Sequence, residues 1–302
     1  MHDQSPFASI DEKISRLIAT YGENATRTRQ LADEIYHESR SLTYPRGEAI
    51  GLRYIGNDLR LKANYAEAES ALLEATEIVS KHCNESDQAF VLLGLASLYT
   101  DTNQVDRAVP TLESSADLFR RSNRPDGEAK ASLMLANLHM VNDEHLQAIE
   151  ASRAALVLYS NLQDEQGIAN SFANLGNAYG MKGEYDRALE YFQLALKYFT
   201  EMKRPYNMAA LHSNVGEIYS KQGDHTAALA HFDSALQTAI AHDFPYLVAA
   251  VRLNKFETLH KMGEVEAAEQ EMCAVYRIAR EKNASAILKQ AEKLETMMRP
   301  TA

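Results

Sequence analysis

Small and apolar residues recur along the chain with a fixed spacing of 40 residues. Alanine occupies six equivalent positions, which are Ala68, Ala108, Ala148, Ala188, Ala228 and Ala268. Large, mostly aromatic residues recur in the same register, at Leu59, Tyr99, His139, Tyr179, Tyr219 and Leu259. Agreement of several residue classes at one period indicates an array of similar structural repeats.

Within each repeat, the apolar residues are spaced as on one face of an α-helix. Phe172, Leu175 and Tyr179 fall at positions i, i+3 and i+7, and a second apolar stripe runs from Tyr185 to Leu196. A turn separates the two stripes, and glycine at this turn predicts a helix end with positive φ; the positions are Gly183, Gly223 and Gly263. Proline recurs where the first helix of a repeat begins, at Pro45, Pro125, Pro205 and Pro245.

The pattern predicts an all-α chain in which residues 1–302 form a single domain, with no strands. A divergent pair of helices, near 8–20 and 24–40, occupies residues 8–48. A last helix, at 284–298, is expected to cap the open apolar end of the array. Six full repeats lie between them, at 49–88, 89–128, 129–168, 169–208, 209–248 and 249–288.

The fourth repeat resembles the tetratricopeptide repeat (TPR). Residues 174–199, NLGNAYGMKGEYDRALEYFQLALKYF, carry the resemblance through Leu175, Gly176, Tyr179, Gly183, Tyr185, Ala188, Phe192 and Ala195. Residues 214–239 match nearly as well, and the pattern extends more weakly from about 49 to 275. The period exceeds the usual value of about 34. A longer repeat is similar to those of Pins-type polarity adaptors, kinesin light chain and Rap-type peptide receptors.

The resemblance implies an α-solenoid of TPR helix hairpins that forms a right-handed superhelix. Helix A of each hairpin would line a concave groove, and helix B would face outward. Gly176 and Ala188 then sit where two helix axes approach closely, and a larger side chain there would cost about 1–3 kcal/mol. In the sixth repeat Lys255 and Phe256 replace the usual apolar and small residues, which predicts a distorted terminal repeat.

The helix-A positions that line the groove in TPR proteins define a candidate peptide-binding site. Its cations are Arg53, Arg60, Lys130 and Lys221. An apolar floor is formed by Phe90, Leu93, Leu133, Met134, Met140 and Val141. Asparagines and one acid complete the set, at Asn57, Asn137, Asn170, Asn174, Asn177, Asn214, Asn254 and Glu217. An asparagine amide has a donor and an acceptor, so it can pair with the backbone of an extended peptide.

The match to the carboxylate-clamp subfamily of TPR proteins is incomplete. Asn177 and Asn214 correspond to the two clamp asparagines, but Ala173 and Ala250 stand where that subfamily has cations. In the first repeats Arg53, Asn57 and Lys130 fit the clamp, whereas the pattern is broken by Gly94 and Met134. Binding of a C-terminal EEVD-type tail is therefore not expected.

Each part of this site also has a structural interpretation. The asparagines could cap helices or bridge neighbouring ones without any ligand. The apolar floor around Phe90, Leu133 and Met140 could be covered by the N-terminal helices or by a second copy of the chain. Arg53 and Arg60 could pair with neighbouring acids.

Composition restricts the class of partner. The formal net charge of −11 disfavours binding to nucleic acid or to an anionic membrane. Two cysteines, Cys83 and Cys273, are too few for a disulfide framework. The residues Met1–Ser9 lack the apolar core of a signal peptide, and no run of apolar residues is long enough to span a bilayer. We therefore expect a cytoplasmic protein.

No motif for catalysis, cofactor binding or metal binding is evident. His225 and His231 are six residues apart on one helix, the wrong spacing for a shared metal ion. The sequence thus predicts a non-enzymatic adaptor that binds a peptide segment of a partner protein. Two alternatives stay open: a peptide-sensing receptor or the input module of a signalling protein, and a scaffold that assembles with its own copies.

Overall fold

The computed structural model describes residues 7–298 and contains fifteen α-helices in that range. The chain divides into two compact units, Met1–Gln163 and Asp164–Ala302. The helices of the first unit are α1 (Ala8–Ala19), α2 (Ala25–Ser41), α3 (Pro45–Leu61), α4 (Tyr65–His82), α5 (Glu85–Asp101), α6 (Val105–Arg121), α7 (Pro125–Val141) and α8 (His145–Leu162). The helices of the second unit are α9 (Glu165–Met181), α10 (Tyr185–Glu201), α11 (Pro205–Gln222), α12 (His225–Ala241), α13 (Pro245–Lys261), α14 (Val265–Glu281) and α15 (Ser285–Met298).

Consecutive helices in each unit pack as hairpins, and this confirms the all-α, solenoid-type fold. Odd-numbered helices from α3 to α13 are the A helices of the repeats, and even-numbered helices from α4 to α14 are the B helices. All six alanines with the 40-residue spacing are buried in the helix contacts, none more than 1% exposed. None of the helices described between residues 7 and 298 is long and apolar enough to cross a membrane.

Helices end at a left-handed residue that recurs every 20 residues. Gly183, Gly223 and Gly263 have φ values of 85°, 85° and 79°, as the sequence predicts. The other helix ends use residues with a side chain, namely Thr43, Ala63, Asn103, Asn123, Asp143, Gln163, Lys203, Asp243 and Asn283. The exception in this series is Cys83, which is extended with φ −121°. Apart from the turn at Cys83, each turn of this series therefore ends its helix with the same left-handed residue, with or without glycine.

Hydrogen bonds at these turns follow the Schellman pattern. The Asn64 N–H donates to the Leu59 carbonyl at 2.9 Å, and the Ala63 N–H donates to the Arg60 carbonyl at 3.0 Å. In the later repeats, an N–H five residues further along the chain likewise donates to the carbonyl of the recurrent large residue, at Tyr99, His139, Tyr179, Tyr219 and Leu259. The helix starts are also set locally, because the in-phase prolines lie in the first helical turn. Asp224 caps α12 by accepting from the Ala227 N–H at 3.0 Å.

Substitutions at two turns separate the effect of backbone strain from that of packing. A Cβ at Gly183 would meet nothing within 4 Å, so Gly183→Ala changes the backbone preference alone. We expect it to lower the free energy of unfolding by about 1 kcal/mol, because side chains disfavour positive φ. Thr43→Gly at a φ of 56° should raise the free energy of unfolding by up to about 1 kcal/mol. Urea denaturation measures both, and equal stability of all three proteins would contradict this account.

Glycines inside the A helices make room for large rings on the B helices. A Cβ built at Gly176 would lie 2.5 Å from the ring of Phe192, and one at Gly216 would lie 2.7 Å from Phe232. The second and third repeats have alanine in place of this glycine, and Leu112 or Ser152 in place of the ring. A small residue on the A helix thus leaves room for a larger side chain on the B helix in the second, fourth and fifth repeats, whereas the third repeat pairs Ala136 with Ser152.

The sixth repeat uses a different pair. Phe256 occupies the position of the glycine and is buried in the same cluster as Met272. The helix α13 is 17 residues long, as are α3 and α5. Lys255 pairs with Asp233 at 2.6 Å and with Glu271 at 3.2 Å. A flexible methionine and two carboxylates thus accommodate the larger side chains while α13 keeps its full length; distortion of the terminal repeat stays a prediction.

The pairing of Gly176 with Phe192 can be tested by a double-mutant cycle. Gly176→Ala alone should destabilise the second unit by about 1–3 kcal/mol through overpacking. In the Phe192→Leu background the same substitution should be clearly less harmful, because the ring it would strike is absent. Strict additivity in urea denaturation of the four proteins would show that the two positions do not share this constraint.

Candidate functional site

Two guanidinium groups flank the ring of Phe90 in the first unit. The Arg53 guanidinium carbon lies 5.1 Å from the centre of the Phe90 ring and 4.4 Å from that of Tyr54. The Arg124 guanidinium carbon lies 4.9 Å from the same Phe90 ring. Phe90 also packs edge-on against the buried Phe119, with ring centres 4.8 Å apart. The ring is thereby held in place, and both cations are attracted by its faces.

The cations of this cluster differ in their countercharges. Arg60 pairs with Asp101, as the structural interpretation of the sequence allowed. Among residues 7–298, however, neither Arg53 nor Lys130 has a carboxylate within ion-pair distance. The Arg53 Nε is buried and has no hydrogen-bond partner within the described part of the chain. Partial removal of the ammonium group from water lowers the pKa of Lys130, and the positive charges of Arg53 and Arg60 lower it further. An anion at this point would relieve that repulsion.

The apolar residues of the first unit divide between core and surface. Leu93 is 6% exposed and belongs to the core between α3 and α7, so its side chain offers little area to a ligand. Phe90 and Leu133 are half-buried, and Asn137 is exposed. The side chain of Asn57 lies against Gly94, since a Cβ built on Gly94 would be 3.3 Å from the Asn57 Oδ1.

The N-terminal helix leaves this surface uncovered. In the described range, α1 packs on α2 and α3 and makes no comparable contact with α5 or α7. Its buried residues Ile10, Ile14 and Leu17 join a core cluster with Ile50 and Tyr54. Cover by the N-terminal helices is therefore excluded for the face that carries Phe90 and Leu133.

Asparagines of the second unit bridge neighbouring A helices. The Asn214 Nδ2 donates to the Asn177 Oδ1 at 3.0 Å, which joins α11 to α9. The Asn254 Nδ2 donates to the Ser213 Oγ at 3.2 Å, which joins α13 to α11. The structural interpretation holds for these three residues. The bridge between Asn177 and Asn214 uses one donor and one acceptor of the two amides, and both residues are half-buried.

The other predicted residues of the second unit have local partners. Glu217 and Lys221 form an ion pair with each other at 2.7 Å, one helical turn apart. Asn170 accepts a hydrogen bond from the Gln166 Nε2 at 3.3 Å on its own helix. Asn174 is half-buried on the same helix. The charges of Glu217 and Lys221 neutralise each other, so these two side chains form no counterpart of the cationic cluster around Arg53.

One cluster of titratable groups was not anticipated from the sequence. His212 on α11 and His231 on α12 lie with their Nδ1 atoms 3.1 Å apart, and the His231 ring stacks on Tyr219. Both are half-buried, and burial lowers the pKa of each ring; the neighbouring His231 lowers the pKa of His212 further. Their separation in sequence, 19 residues, carries no periodic signal. In the described residues, no group of three or more His, Cys, Asp or Glu side chains could hold a metal ion.

Protonation of this pair should destabilise the second unit. In the unfolded chain histidine has a pKa of about 6.5, and in the folded chain both values lie below that. Between the folded and unfolded pKa values the unfolded chain binds more protons, so stability falls as the pH drops below about 6.5. We expect His231→Phe to lose less stability than the wild type between pH 7 and pH 5 in urea titrations. The exposed His242→Phe serves as the control, and parallel pH profiles for wild type and His231→Phe would refute the assignment.

Comparison with known proteins places the repeats in a family. Two family models, both described as tetratricopeptide repeat, match residues 127–201 and 174–243. Together with hairpins of 40 residues, these matches confirm the resemblance that the sequence motifs indicated. Residues 127–243 are therefore tetratricopeptide repeats, and the described helices before and after them keep the same 40-residue period. No curated protein sequence matches it closely enough to indicate a relationship.

Solved structures show the same fold. NprR in complex with its cognate peptide NprX superposes with a TM-score of 0.71 at 16% identity, over 98% of this chain and 85% of that one. A Rap protein complexed with competence and sporulation factor gives a TM-score of 0.63 at 14% identity, over 97% and 99%. A kinesin light chain protein with TPR-like repeats, from Podosopora anserina, gives 0.58 at 16% identity, over 66% and 98%. At these identities the likeness establishes the fold alone.

Proposed function

We propose that this protein binds a peptide segment of a partner protein on the A-helix faces and acts as a cytoplasmic, non-enzymatic adaptor. The observation that carries the proposal is the pair of cations without carboxylate partners, Arg53 and Lys130, beside the ring of Phe90. The TPR fold supports an interaction function, because stacked helix hairpins present extended surfaces to partners.

The first unit suits an acidic residue that is followed by an apolar one. The Arg53 guanidinium and the Lys130 ammonium repel each other, and an arriving carboxylate would lower this repulsion while forming charge-assisted hydrogen bonds. The half-buried side chains of Phe90 and Leu133 would receive the apolar side chain. Arg60, already paired with Asp101, would contribute through its field more than through direct contact.

The second unit suits the backbone of the ligand. The amides of Asn177 and Asn214 are fixed by their mutual hydrogen bond, so little conformational entropy is lost when they bind. Their remaining donor and acceptor groups match the C=O and N–H of an extended peptide. We propose supporting positions for the half-buried Asn170 and Asn174 on α9, the helix of Asn177, and for the half-buried Asn254 on the A helix α13.

A peptide-sensing receptor is the second candidate. Its support is the similarity to NprR and to a Rap protein, which were solved with NprX and with competence and sporulation factor respectively. A receptor differs from an adaptor in requiring two states of the protein with different ligand affinity. Small-angle scattering with and without a bound peptide distinguishes the receptor from the adaptor, since only the receptor hypothesis predicts a change in the scattering profile. With a formal net charge of −11, neither candidate involves nucleic acid or an anionic membrane.

Selection from a random library of 12-residue peptides tests the anion-binding part of the proposal. We expect the selected peptides to be enriched in Asp or Glu next to an apolar residue. Arg53→Gln combined with Lys130→Gln should weaken a selected peptide at least about tenfold, and added salt should weaken the wild-type complex, because the contact is electrostatic. Isothermal titration calorimetry gives the affinities.

A matched control removes two exposed cations that lie elsewhere and form no ion pair in the described chain, through Arg27→Gln and Lys197→Gln. It changes the net charge equally and should leave the affinity within about twofold. Asn177→Ala with Asn214→Ala should weaken the same peptide without loss of helicity. The assignment of the anion-binding site to Arg53 and Lys130 would be wrong if the selected peptides lacked acidic residues. It would also be wrong if the Arg53/Lys130 variant and the control bound the peptide with equal affinity.

A further inference from the structure

Three cations of the first unit act on one another across two A helices. Arg53 and Arg60 are seven residues apart on α3, which places them on the same side of that helix. Lys130 lies on α7, and the positive charges of both arginines lower its pKa. The carboxylate paired with this cluster among the described residues is that of Asp101 on α5, which contacts Arg60. Within that part of the chain, the cluster therefore has an excess of two positive charges.

A fourth cation beside the cluster adds no net charge. Arg124 approaches the Phe90 ring as Arg53 does, but its Nε and Nη2 donate to the two oxygens of the Asp126 carboxylate, at 2.9 and 2.8 Å. The Arg53 guanidinium is held against the rings of Tyr54 and Phe90 instead, and aromatic rings leave its full charge in place. The excess charge thus belongs to the cluster of Arg53, Arg60 and Lys130.

We propose that this cluster prefers a phosphorylated serine or threonine of the bound peptide to an aspartate or glutamate; the inference rests on the peptide-binding function proposed above. A phosphomonoester has a charge of about −1.5 to −2 at pH 7, so it can balance the excess, whereas one carboxylate leaves a positive charge unbalanced. Its three acceptor oxygens allow Arg53 and Lys130 to bind different oxygens through charge-assisted hydrogen bonds. Lys130 is exposed and Arg53 is half-buried, so the anion would approach from solvent.

Three degenerate peptide pools compare the anions without requiring a known sequence around them. Each pool has a fluorescent label and about five random residues on either side of a central phosphoserine, aspartate or serine. We expect the full chain to bind the phosphoserine pool at least about tenfold more tightly than the aspartate pool, and the serine pool most weakly. Fluorescence anisotropy gives the affinities.

The outcomes separate this inference from the proposed function. If the phosphoserine and aspartate pools bind equally and both bind more tightly than the serine pool, the preference for phosphate is wrong and the proposed function stands. If all three pools bind equally, both are wrong. Inorganic phosphate that displaces the phosphoserine pool at the concentration of the pool itself would also refute the inference, because the site would then take free phosphate.

The pH dependence tests whether the dianion is recognised. The second pKa of a phosphoserine is about 6, whereas that of an aspartate side chain is about 3.9. Between about pH 7.5 and about pH 5.5 the phosphoserine pool therefore loses charge and the aspartate pool does not. We expect the ratio of the two affinities to fall at least about threefold over this range. A constant ratio would contradict the inference, and the use of a ratio removes effects of pH on the protein itself.

Removal of the carboxylate beside Arg60 tests the charge balance in the opposite direction. Asp101→Asn keeps the shape of the side chain and leaves the charge of Arg60 without its counterion. The Coulomb energy scales with the charge of the ligand, so the phosphoserine pool should gain about the square of the factor gained by the aspartate pool. An equal gain for both pools would count against recognition of a dianion.

Asp243→Asn is the matched control, because it changes the net charge of the chain equally. Asp243 is exposed in the second unit, at a turn with a φ of 52° that asparagine also adopts. We expect both pools to keep their affinities within about twofold. A gain as large as that of Asp101→Asn would mean that the pools respond to net charge alone, and the site at Arg53, Arg60 and Lys130 would then be wrong.

Discussion

The regular end of each helix is the constraint on which the rest of this structure depends. A helix that continued past its turn would carry its apolar face away from the next helix, so every helix has to end in the same register. From the end of α2 onward, the chain meets this requirement with a left-handed residue every 20 residues, except at Cys83, and the A helices add a bond back to the carbonyl of a recurrent large residue, as at Tyr179. Burial of the repeated alanines follows from that common register.

Packing between the helices of one hairpin is solved separately in each repeat. The B helix has a phenylalanine ring opposite Gly176 and Gly216, and a leucine opposite Gly56. Where the A helix has Phe256, the B helix has a methionine that adapts to it. Because this pairing is made between the two helices of one hairpin, the exposed positions of the A helices are free to differ. The cationic cluster of the first unit and the asparagines of the second occupy such positions.

Periodicity was sufficient to predict the fold because periodicity is what produces it. Apolar spacing determined the helices, and glycine and proline marked their ends, since each of these signals acts through the local backbone. Turns at Lys203 or Gln163 gave no such signal, because those residues adopt the left-handed conformation only under the demand of the array. The extended conformation of Cys83 in the same series was equally invisible in the sequence.

Pairing of side chains across helices could not be predicted in the same way. Arg53 and Arg60 looked equivalent, yet Asp101 reaches only Arg60, because that pairing depends on the rotamers and offsets of two separate helices. Asn177 and Asn214 were expected to face a ligand, and they also hold two A helices together. His212 and His231 showed no relation in the sequence, and only the hairpin brings their Nδ1 atoms to 3.1 Å.

The 20-residue interval between left-handed residues also restricts how the chain can change in length. Inserting or deleting one residue within a helix would rotate everything after it by about 100° and bury polar residues in place of apolar ones. Gain or loss of a whole 40-residue hairpin leaves every remaining turn in its place. Such an array should therefore vary in steps, by complete hairpins, and its binding surface should lengthen or shorten by the same unit.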